Sequence, residues 1–446
     1  MKAVYYTVQN GGARVEMTTE KRLPESVKAL IATVREKLPH RERIAAMFEQ
    51  CLSNTWNTTI RREEDGTTFV ITGDIPAMWL RDSAAQVRPF LLAAAGDEEI
   101  ADMIEGLVER QFRYVIHDPY ANAFNEEASG KGHHGDKTKM TPWIWERKYE
   151  IDSLCYPIQL SYLLWKNTDR TSQFGQSFRN GAEEILKLWT LEQNHENASN
   201  YSFERFGCPA SDTLPREGRG TPVALTGMTW SGFRPSDDAC QFGYLIPSNM
   251  FAVVSLRQLA EIARHVMNDN ALAERAETLA DEIHRGIEQY AKVEHPSFGT
   301  IYAYETDGLG HYNLMDDANV PSLLSIPYIG YASADDPIYE NTRSFVLSES
   351  NPYYYEGTAA SGIGSPHTPE RYIWPIALAM QGLTAKEQAE KERLLDLMAH
   401  TDAGTGFMHE GFHADDPAAY TRPWFSWANM MFCELVLDVC GIRVRK

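Results

Sequence analysis

Three stretches of this chain place carboxylates beside aromatic and cationic side chains. The segment Thr72-Gly73-Asp74-Ile75-Pro76-Ala77-Met78-Trp79-Leu80-Arg81-Asp82-Ser83 brings an indole, a guanidinium and a carboxylate together at a loop-to-helix junction. Such a trio can stack on a sugar ring and grip its vicinal hydroxyls through charge-assisted hydrogen bonds. Equally, Arg81 and Asp82 can serve intramolecular pairs or a helix cap while Trp79 fills core. In Gly232-Phe233-Arg234-Pro235-Ser236-Asp237-Asp238, two adjacent acids follow a proline turn and precede an apolar helix. Their mutual repulsion can hold one protonated near neutrality, as a general acid must be. The commoner meaning of Ser-Asp-Asp is a solvated acid favoured by a helix dipole.

The third stretch, Gly406-Phe407-Met408-His409-Glu410-Gly411-Phe412-His413, contains the zinc-peptidase pattern H-E-x-x-H. That chemistry needs both histidines on one face of a helix. Gly411 inside the motif, Gly404 and Gly406 before it and Asp415-Asp416-Pro417 after it argue against a helix and therefore against zinc. As a loop, the segment can hold Glu410 beside a sugar to orient a water, or it is a turn with a solvated glutamate. His133 and His134 are adjacent, so their side chains diverge, and no third metal ligand accompanies them. The chain carries no Walker loop, Rossmann glycine fingerprint or G-x-S-x-G elbow.

The elements that must position these loops are helices. Val27, Leu30, Ile31, Val34 and Leu38 fall on one face at helical spacing, as do Ile100, Met103, Ile104 and Leu107. Leu272, Ala276, Leu279, Ile283, Ile287 and Tyr290 repeat the pattern, each time with charge on the opposite face. Thr384-Ala385-Lys386-Glu387 has the form of a capping box, which predicts a helix starting there. Residues 151–166, 246–264, 371–382 and 424–439 are apolar all round and predict helices buried on several sides. Charged helices alternating with apolar ones imply two concentric layers. Strand-like runs are short, such as Thr67–Ile71, and no β–α alternation builds a parallel sheet. Long ordered loops (117–148, 203–243, 296–329, 346–370 and 401–423) are the expected site of function.

The chain has 446 residues, 43% of them hydrophobic, enough for one large core. With 42 basic and 62 acidic residues its formal charge is −20, which argues against nucleic acid or an anionic membrane as partner. Ten Trp, 21 Tyr and 18 Phe suit sugar faces as well as protein cores. The six cysteines lack C-x-x-C spacing and read as reduced, buried thiols. No apolar run resembles a signal or a membrane span, so a cytoplasmic protein is expected, with the patterns Asn57-Thr58-Thr59 and Asn197-Ala198-Ser199 arising by chance.

The stretches TGDIPAMWLRDSAAQVRPF, TGMTWSGFRPSDDACQFGYLIPSNMF and MHEGFHADDPAAYTRPWFSWANMMF resemble glycoside hydrolase family 125, and the resemblance runs from about residue 25 to about 440. It implies an all-α fold, an (α/α)6 barrel or six-hairpin toroid, as a single catalytic domain over residues 1–446 with about 1–24 as an extension packed on it. It further implies an exo-acting α-1,6-mannosidase that inverts the anomeric carbon and uses no metal or other cofactor. By this resemblance Asp237, chosen over Asp238, is the general acid, and Glu410 is the general base. An inverting pair must leave room for a water between its carboxyl groups. Trp79, Arg81, Asp82, Glu126, Arg234, Asn249 and Arg422 are then expected to bind the terminal mannose in a closed-ended pocket. The expected partner is an α-1,6-linked mannoside or an oligosaccharide derived from an N-glycan, acted on by a monomer. The family often has a serine after its base, where this chain has Gly411. Other readings are a different helical-barrel carbohydrate enzyme, a glucosidase or a phosphorolytic one, and a glycan-binding protein without catalysis.

Overall fold

The computed structural model describes residues 7–9, 12–14 and 21–445, and it is mostly helical. Most of the expected N-terminal extension lies outside the described residues. Among the described residues, twelve helices of eight residues or more follow in order. They are α1 Glu25–Lys37, α2 Glu42–Thr58, α3 Leu80–Val87, α4 Glu98–His117, α5 Ile151–Thr168 and α6 Gln176–Glu192. After them come α7 Ile246–His265, α8 Asn270–Tyr290, α9 Pro337–Val346, α10 Pro375–Leu383, α11 Gln388–His400 and α12 Ser426–Val439.

The two helix types read from the sequence occupy different places. Helices α1, α4 and α8 bury one stripe, with Val27, Ile31 and Val34 inward in α1 and Leu272, Leu279 and Ile283 inward in α8. Helices α3, α5, α7, α10 and α12 are buried on nearly every side. The buried helices pack on one another, α3 against α5 and α12, α5 against α7, and α10 against α12. The striped ones lie outside them, α4 on α5, α8 on α7, α2 on α12 and α11 on α10. One dominant hydrophobic cluster runs through the described residues from Val27 to Cys440.

The starts of the inner helices matter for chemistry. Among the described residues, side-chain caps occur on three outer helices only: Asp97 accepts from the amides of Glu99 and Ile100 ahead of α4, Asp269 from that of Leu272 in α8, and Asp336 from those of Ile338 and Tyr339 in α9. The inner helices α3, α5, α7, α10 and α12 have no such cap. Three of them start directly from, or one residue after, a two-residue strand of a small antiparallel sheet: Met78–Trp79 before α3, Tyr244–Leu245 before α7 and Tyr372–Ile373 before α10. Their positive dipole ends therefore remain available to carboxylates.

One local expectation holds and another changes. The run Thr67–Ile71 forms the strand Thr68–Val70, paired with Ile60–Arg62. Thr384–Glu387 is not a capping box: α11 begins at Gln388 without a side-chain cap, and the Thr384 hydroxyl donates back to the Met380 carbonyl of α10 at 2.8 Å. The hydroxyl closes the end of one helix instead of opening the next.

Candidate active site

A cavity of about 340 Å³, open mouth included, lies at the N-terminal ends of α3, α10 and α12. Trp79, Arg81 and Asp82 come from the start of α3, Trp374 from the residue before α10, and Phe425 and Trp427 from the start of α12. The loops between helices add Thr72 and Ile75, the turn Pro235-Ser236-Asp237, Asn319, His367, Glu410 and Arg422. Two of the three acidic stretches thus meet the third across one small chamber with aromatic walls.

Asp237 sits in a tight turn in which the Arg234 amide donates to the Asp238 carbonyl at 2.8 Å and the Asp237 amide to the Arg234 carbonyl at 2.9 Å. Its φ of 69° is left-handed, a conformation that costs a residue with a side chain of the order of 1 kcal/mol or more and concentrates at functional sites. The turn aims the carboxylate inward, where Oδ1 accepts from Trp79 Nε1 at 3.3 Å, Arg81 Nη2 at 3.3 Å and Asn122 Nδ2 at 3.2 Å. Lys148 Nζ donates to its backbone carbonyl at 2.7 Å. About a quarter of the side chain, 24%, remains exposed.

Arg81 is the centre of a buried charge cluster. Its Nη1 lies 2.5 Å from Glu150 Oε2 and 3.2 Å from Asp152 Oδ2, Nη2 reaches Asp237, and Nε is 3.5 Å from Asp82 Oδ2. Four carboxyl groups therefore surround one guanidinium that is 2% exposed. One positive charge cannot neutralise four negative ones in a low dielectric, so the cluster retains protons near neutrality. Burial pushes the Glu150 carboxyl well above the usual carboxylate range and that of Asp82 up to about 6. Burial also raises Asp237, but Arg81, a hydrogen bond shared with Glu150 and the Lys148 charge together hold it below its ordinary value.

Glu410, 6% exposed, stands just ahead of the strand Gly411–His413, which pairs with Tyr372–Ile373 on one side and Asp416–Thr421 on the other. Arg422 Nη1 is 3.4 Å from Glu410 Oε1, and the rest of its guanidinium is gripped by Asp74, with Nε 3.1 Å from both carboxylate oxygens and Nη2 2.5 Å from Oδ1. A chain Asp74–Arg422–Glu410 thus fixes the second carboxylate, independently of the Arg81 cluster that fixes Asp237.

Asp238 turns the other way from Asp237 and pairs with His367 Nδ1 at 3.2 Å. Burial lowers His367, but the Asp238 hydrogen bond and charge, aided by Glu410 and Asp237, outweigh it and push the imidazole up from 6.5 to about 9. A raised imidazole contributes stability that is complete below pH 6.5 and is lost as the pH climbs through about 9. The melting temperature of His367→Gln is accordingly expected to fall less than that of the wild type between pH 6.5 and pH 9, and parallel curves would refute the pairing.

The sequence profile described as metal-independent α-mannosidase, glycoside hydrolase family 125, matches residues 41–437. The chain belongs to glycoside hydrolase family 125. A solved metal-independent α-mannosidase of Streptococcus pneumoniae, in a non-productive complex with α-1,6-mannobiose, superposes with a TM-score of 0.93 at 54% identity, over 94% of this chain and 99% of that one. The meiotically up-regulated gene 157 protein of Schizosaccharomyces pombe is 41% identical over 93% of this chain and 86% of its own length. The neutral trehalase of Saccharomyces cerevisiae, with a TM-score of 0.52 at 12% identity over 88% of this chain and 80% of its own, shares the fold alone.

Of the nine residues expected in the site of this family 125 chain, six line the cavity: Trp79, Arg81, Asp82, Asp237, Glu410 and Arg422. Three do not. Glu126 pairs with Arg61 at 2.9 Å on the surface. Arg234 donates from Nε to the buried Glu305 at 2.6 Å and so braces the turn from behind. Asn249 is fully buried in α7, where it accepts from the Thr229 amide and donates to the Thr229 and Leu245 carbonyls, each at 3.0 Å. Arg81 and Arg422 line the cavity with carboxylates on part of each guanidinium, so each also positions a neighbouring acid. Asp82 keeps the expected role of hydroxyl grip open: its Oδ2 is buried and accepts no hydrogen bond from a described residue.

The reading against zinc holds in its local geometry. Gly411–His413 is a strand, and His409 is buried, stacked on Tyr420 at 3.7 Å, with its basicity lowered by that burial. Gly411 has a packing reason here: a Cβ on it would lie 3.2 Å from Trp374 Cδ1, so a serine would have to push back an indole that walls the cavity. The site of this chain also draws on His367 in the cavity wall and on Asn122, Lys148, Glu150 and Asp152 behind it, none of which the motifs singled out. The signal for most of them was present in Glu146-Arg147-Lys148-Tyr149-Glu150-Ile151-Asp152, five charges running straight into an apolar helix, and all five are buried.

Proposed function

We propose that this chain removes terminal non-reducing mannose from α-1,6-linked mannosides with inversion, Asp237 acting as general acid and Glu410 as general base. What carries the reading is the placement of two carboxylates in one small aromatic cavity, each fixed by a different arginine. In this mechanism Asp237 gives a proton to the glycosidic oxygen while Glu410 takes one from a water attacking the anomeric carbon from the opposite side. The C1–O bond breaks as the new C1–O bond forms, and mannose leaves as the β anomer.

Aromatic walls supplied by Trp79, Trp374, Phe425 and Trp427 suit the C–H face of a single ring. A chamber of this size, floored by helix N-termini, suits a chain end and not the middle of a polymer, which favours exo action. The alternation of outer and inner helices, with the short helix Ile326–Ile329 taken as an inner member, supports an (α/α)6 barrel. One dominant core, with only the small cluster Ala77, Trp79 and Ala123 apart from it, supports one catalytic domain. The substrate in this reading is an α-1,6-mannoside such as an N-glycan-derived oligosaccharide, hydrolysed by a cytoplasmic monomer.

Proton NMR during hydrolysis of α-1,6-mannobiose tests the mechanism. The β anomer of mannose is expected to accumulate first and the α anomer to follow by mutarotation. Release of α-mannose first would mean retention and would remove Glu410 from the role of base.

A further inference from the structure

The acid needs a proton, and the resting environment of Asp237 works against its holding one. Trp79, Arg81 and Asn122 all donate to Oδ1, and Lys148 faces the same turn. Glu150, the residue before α5, accepts from Arg81, the Ser153 hydroxyl and Asn122 but differs from Asp237 in burial, its side chain being wholly covered where that of Asp237 is 24% exposed. Glu150 is 1% exposed and shares its one nearby cation, Arg81, with Asp152 and Asp237. Two groups bridge the pair. The Asn122 amide donates to Glu150 Oε1 at 3.3 Å and to Asp237 Oδ1 at 3.2 Å, and the Arg81 fork spans Glu150 Oε2 and Asp237 Oδ1.

We propose that Glu150 is the proton store of the general acid, passing its proton to Asp237 when a sugar enters the cavity. The inference rests on the assignment of Asp237 as acid. In the empty site Asp237 is the only member of the pair with a face to solvent, so hydration favours its charged form and burial favours the neutral form of Glu150. A sugar ring covers that face. Asp237 then loses its water while Glu150 keeps Arg81 and the Ser153 hydroxyl, 2.7 Å from Oε2, to stabilise a carboxylate. The proton moves from Glu150 to Asp237, and from Asp237 to the glycosidic oxygen as the C1–O bond breaks. Glu410 gains the proton of the attacking water. After product leaves, Glu410 releases its proton to solvent and the Glu150–Asp237 pair takes one up, so the cycle closes without a co-reactant. Glu150 does not touch the sugar; it is a positioning residue acting through Asp237.

The test uses Glu150→Gln, which keeps the size and the hydrogen-bonding shape but has no proton to give. Turnover of α-1,6-mannobiose, whose leaving group needs protonation, is expected to fall by about 100-fold or more. With 2,4-dinitrophenyl α-mannoside, whose leaving group departs as an anion, the loss is expected to be at least tenfold smaller, roughly in proportion to the protonation no longer required. An equal loss on both substrates in a folded variant, or no loss on either, overturns the proposal. Infrared difference spectroscopy of the wild type with ¹³C-labelled glutamate or aspartate tests the store even if the variant does not fold. A protonated glutamate band is expected to disappear, and a protonated aspartate band to grow, when a non-hydrolysed thio-linked mannobiose binds; no change in the glutamate band overturns the store. Failure of the parent reading looks different, because Asp237→Asn then keeps full activity on α-1,6-mannobiose.

Discussion

Glu410→Gln is expected to lower kcat on α-1,6-mannobiose by about 10²- to 10⁴-fold, the usual worth of a positioned general base. The fold is expected to survive, since the amide keeps the shape of the carboxylate and Arg422 stays gripped by Asp74. Asp237→Asn is expected to cost a similar factor, and the two variants separate by leaving group. The aspartate variant should recover on an aryl mannoside that needs no proton, whereas the glutamate variant should remain slow on every substrate because water is still not activated. Kinetics on the two substrates, with circular dichroism as the check on folding, decide the matter. Full activity of either variant on mannobiose would show that the wrong carboxylate had been chosen. Arg422→Lys offers an intermediate case. An ammonium can meet Asp74 but lacks the fork that lets one side chain hold Asp74 and reach Glu410 together, so a drop in kcat with little change in KM is expected.

How much of this site was legible follows from what each signal encodes. Periodicity reports which face of a helix is buried, and it found the layers correctly at Val27, Ile31 and Val34 and at Leu272, Leu279 and Ile283. A short motif reports residues close in sequence, and it singled out Trp79, Arg81 and Asp82, the neighbours Asp237 and Asp238, and Glu410, while the choice of Asp237 and the role of Glu410 came from the family resemblance. The motif did not report what Arg81 touches, because Glu150 and Asp237 are brought to it from 69 and 156 residues away. For the same reason the zinc pattern at His409 and His413 could be set aside from its glycines alone, while the Asp74–Arg422 grip, spanning 348 residues, could not be foreseen. Glu126, Arg234 and Asn249 came from matching loops, and each has the polarity of a sugar ligand. Only burial and partners distinguish a ligand from a brace: Arg234 spends its charge on Glu305, and Asn249 spends its amide on backbone. Asp238 was the harder choice beside Asp237. The left-handed turn sends the two carboxylates to different partners, Arg81 and His367, which no spacing rule separates.

The largest expected loss of stability is at Arg81. Arg81→Leu fills most of the volume but leaves Glu150, Asp152, Asp237 and Asp82 without their common cation, and breaking a buried ion cluster in this way costs about 3–5 kcal/mol. The sign of the pH dependence follows from the same charges. Without the guanidinium the remaining carboxyl groups have folded-state proton affinities above their unfolded values, so the cluster is least costly to the folded variant below about pH 4, the unfolded carboxyl range. The variant loses stability as the pH rises through those elevated values. The deficit relative to the wild type is therefore expected to be small at pH 5 and to widen toward pH 8, as read from denaturant midpoints at several pH values. Arg81→Lys restores one charge but cannot contact three carboxylates at once, so it should recover part of the stability and little of the activity. A deficit that stays flat with pH would place the cost in packing, not in charge. The same guanidinium would then no longer account for the ionisation of Asp237, because a division of protons between Glu150 and Asp237 by Arg81 needs its charge to be felt by both.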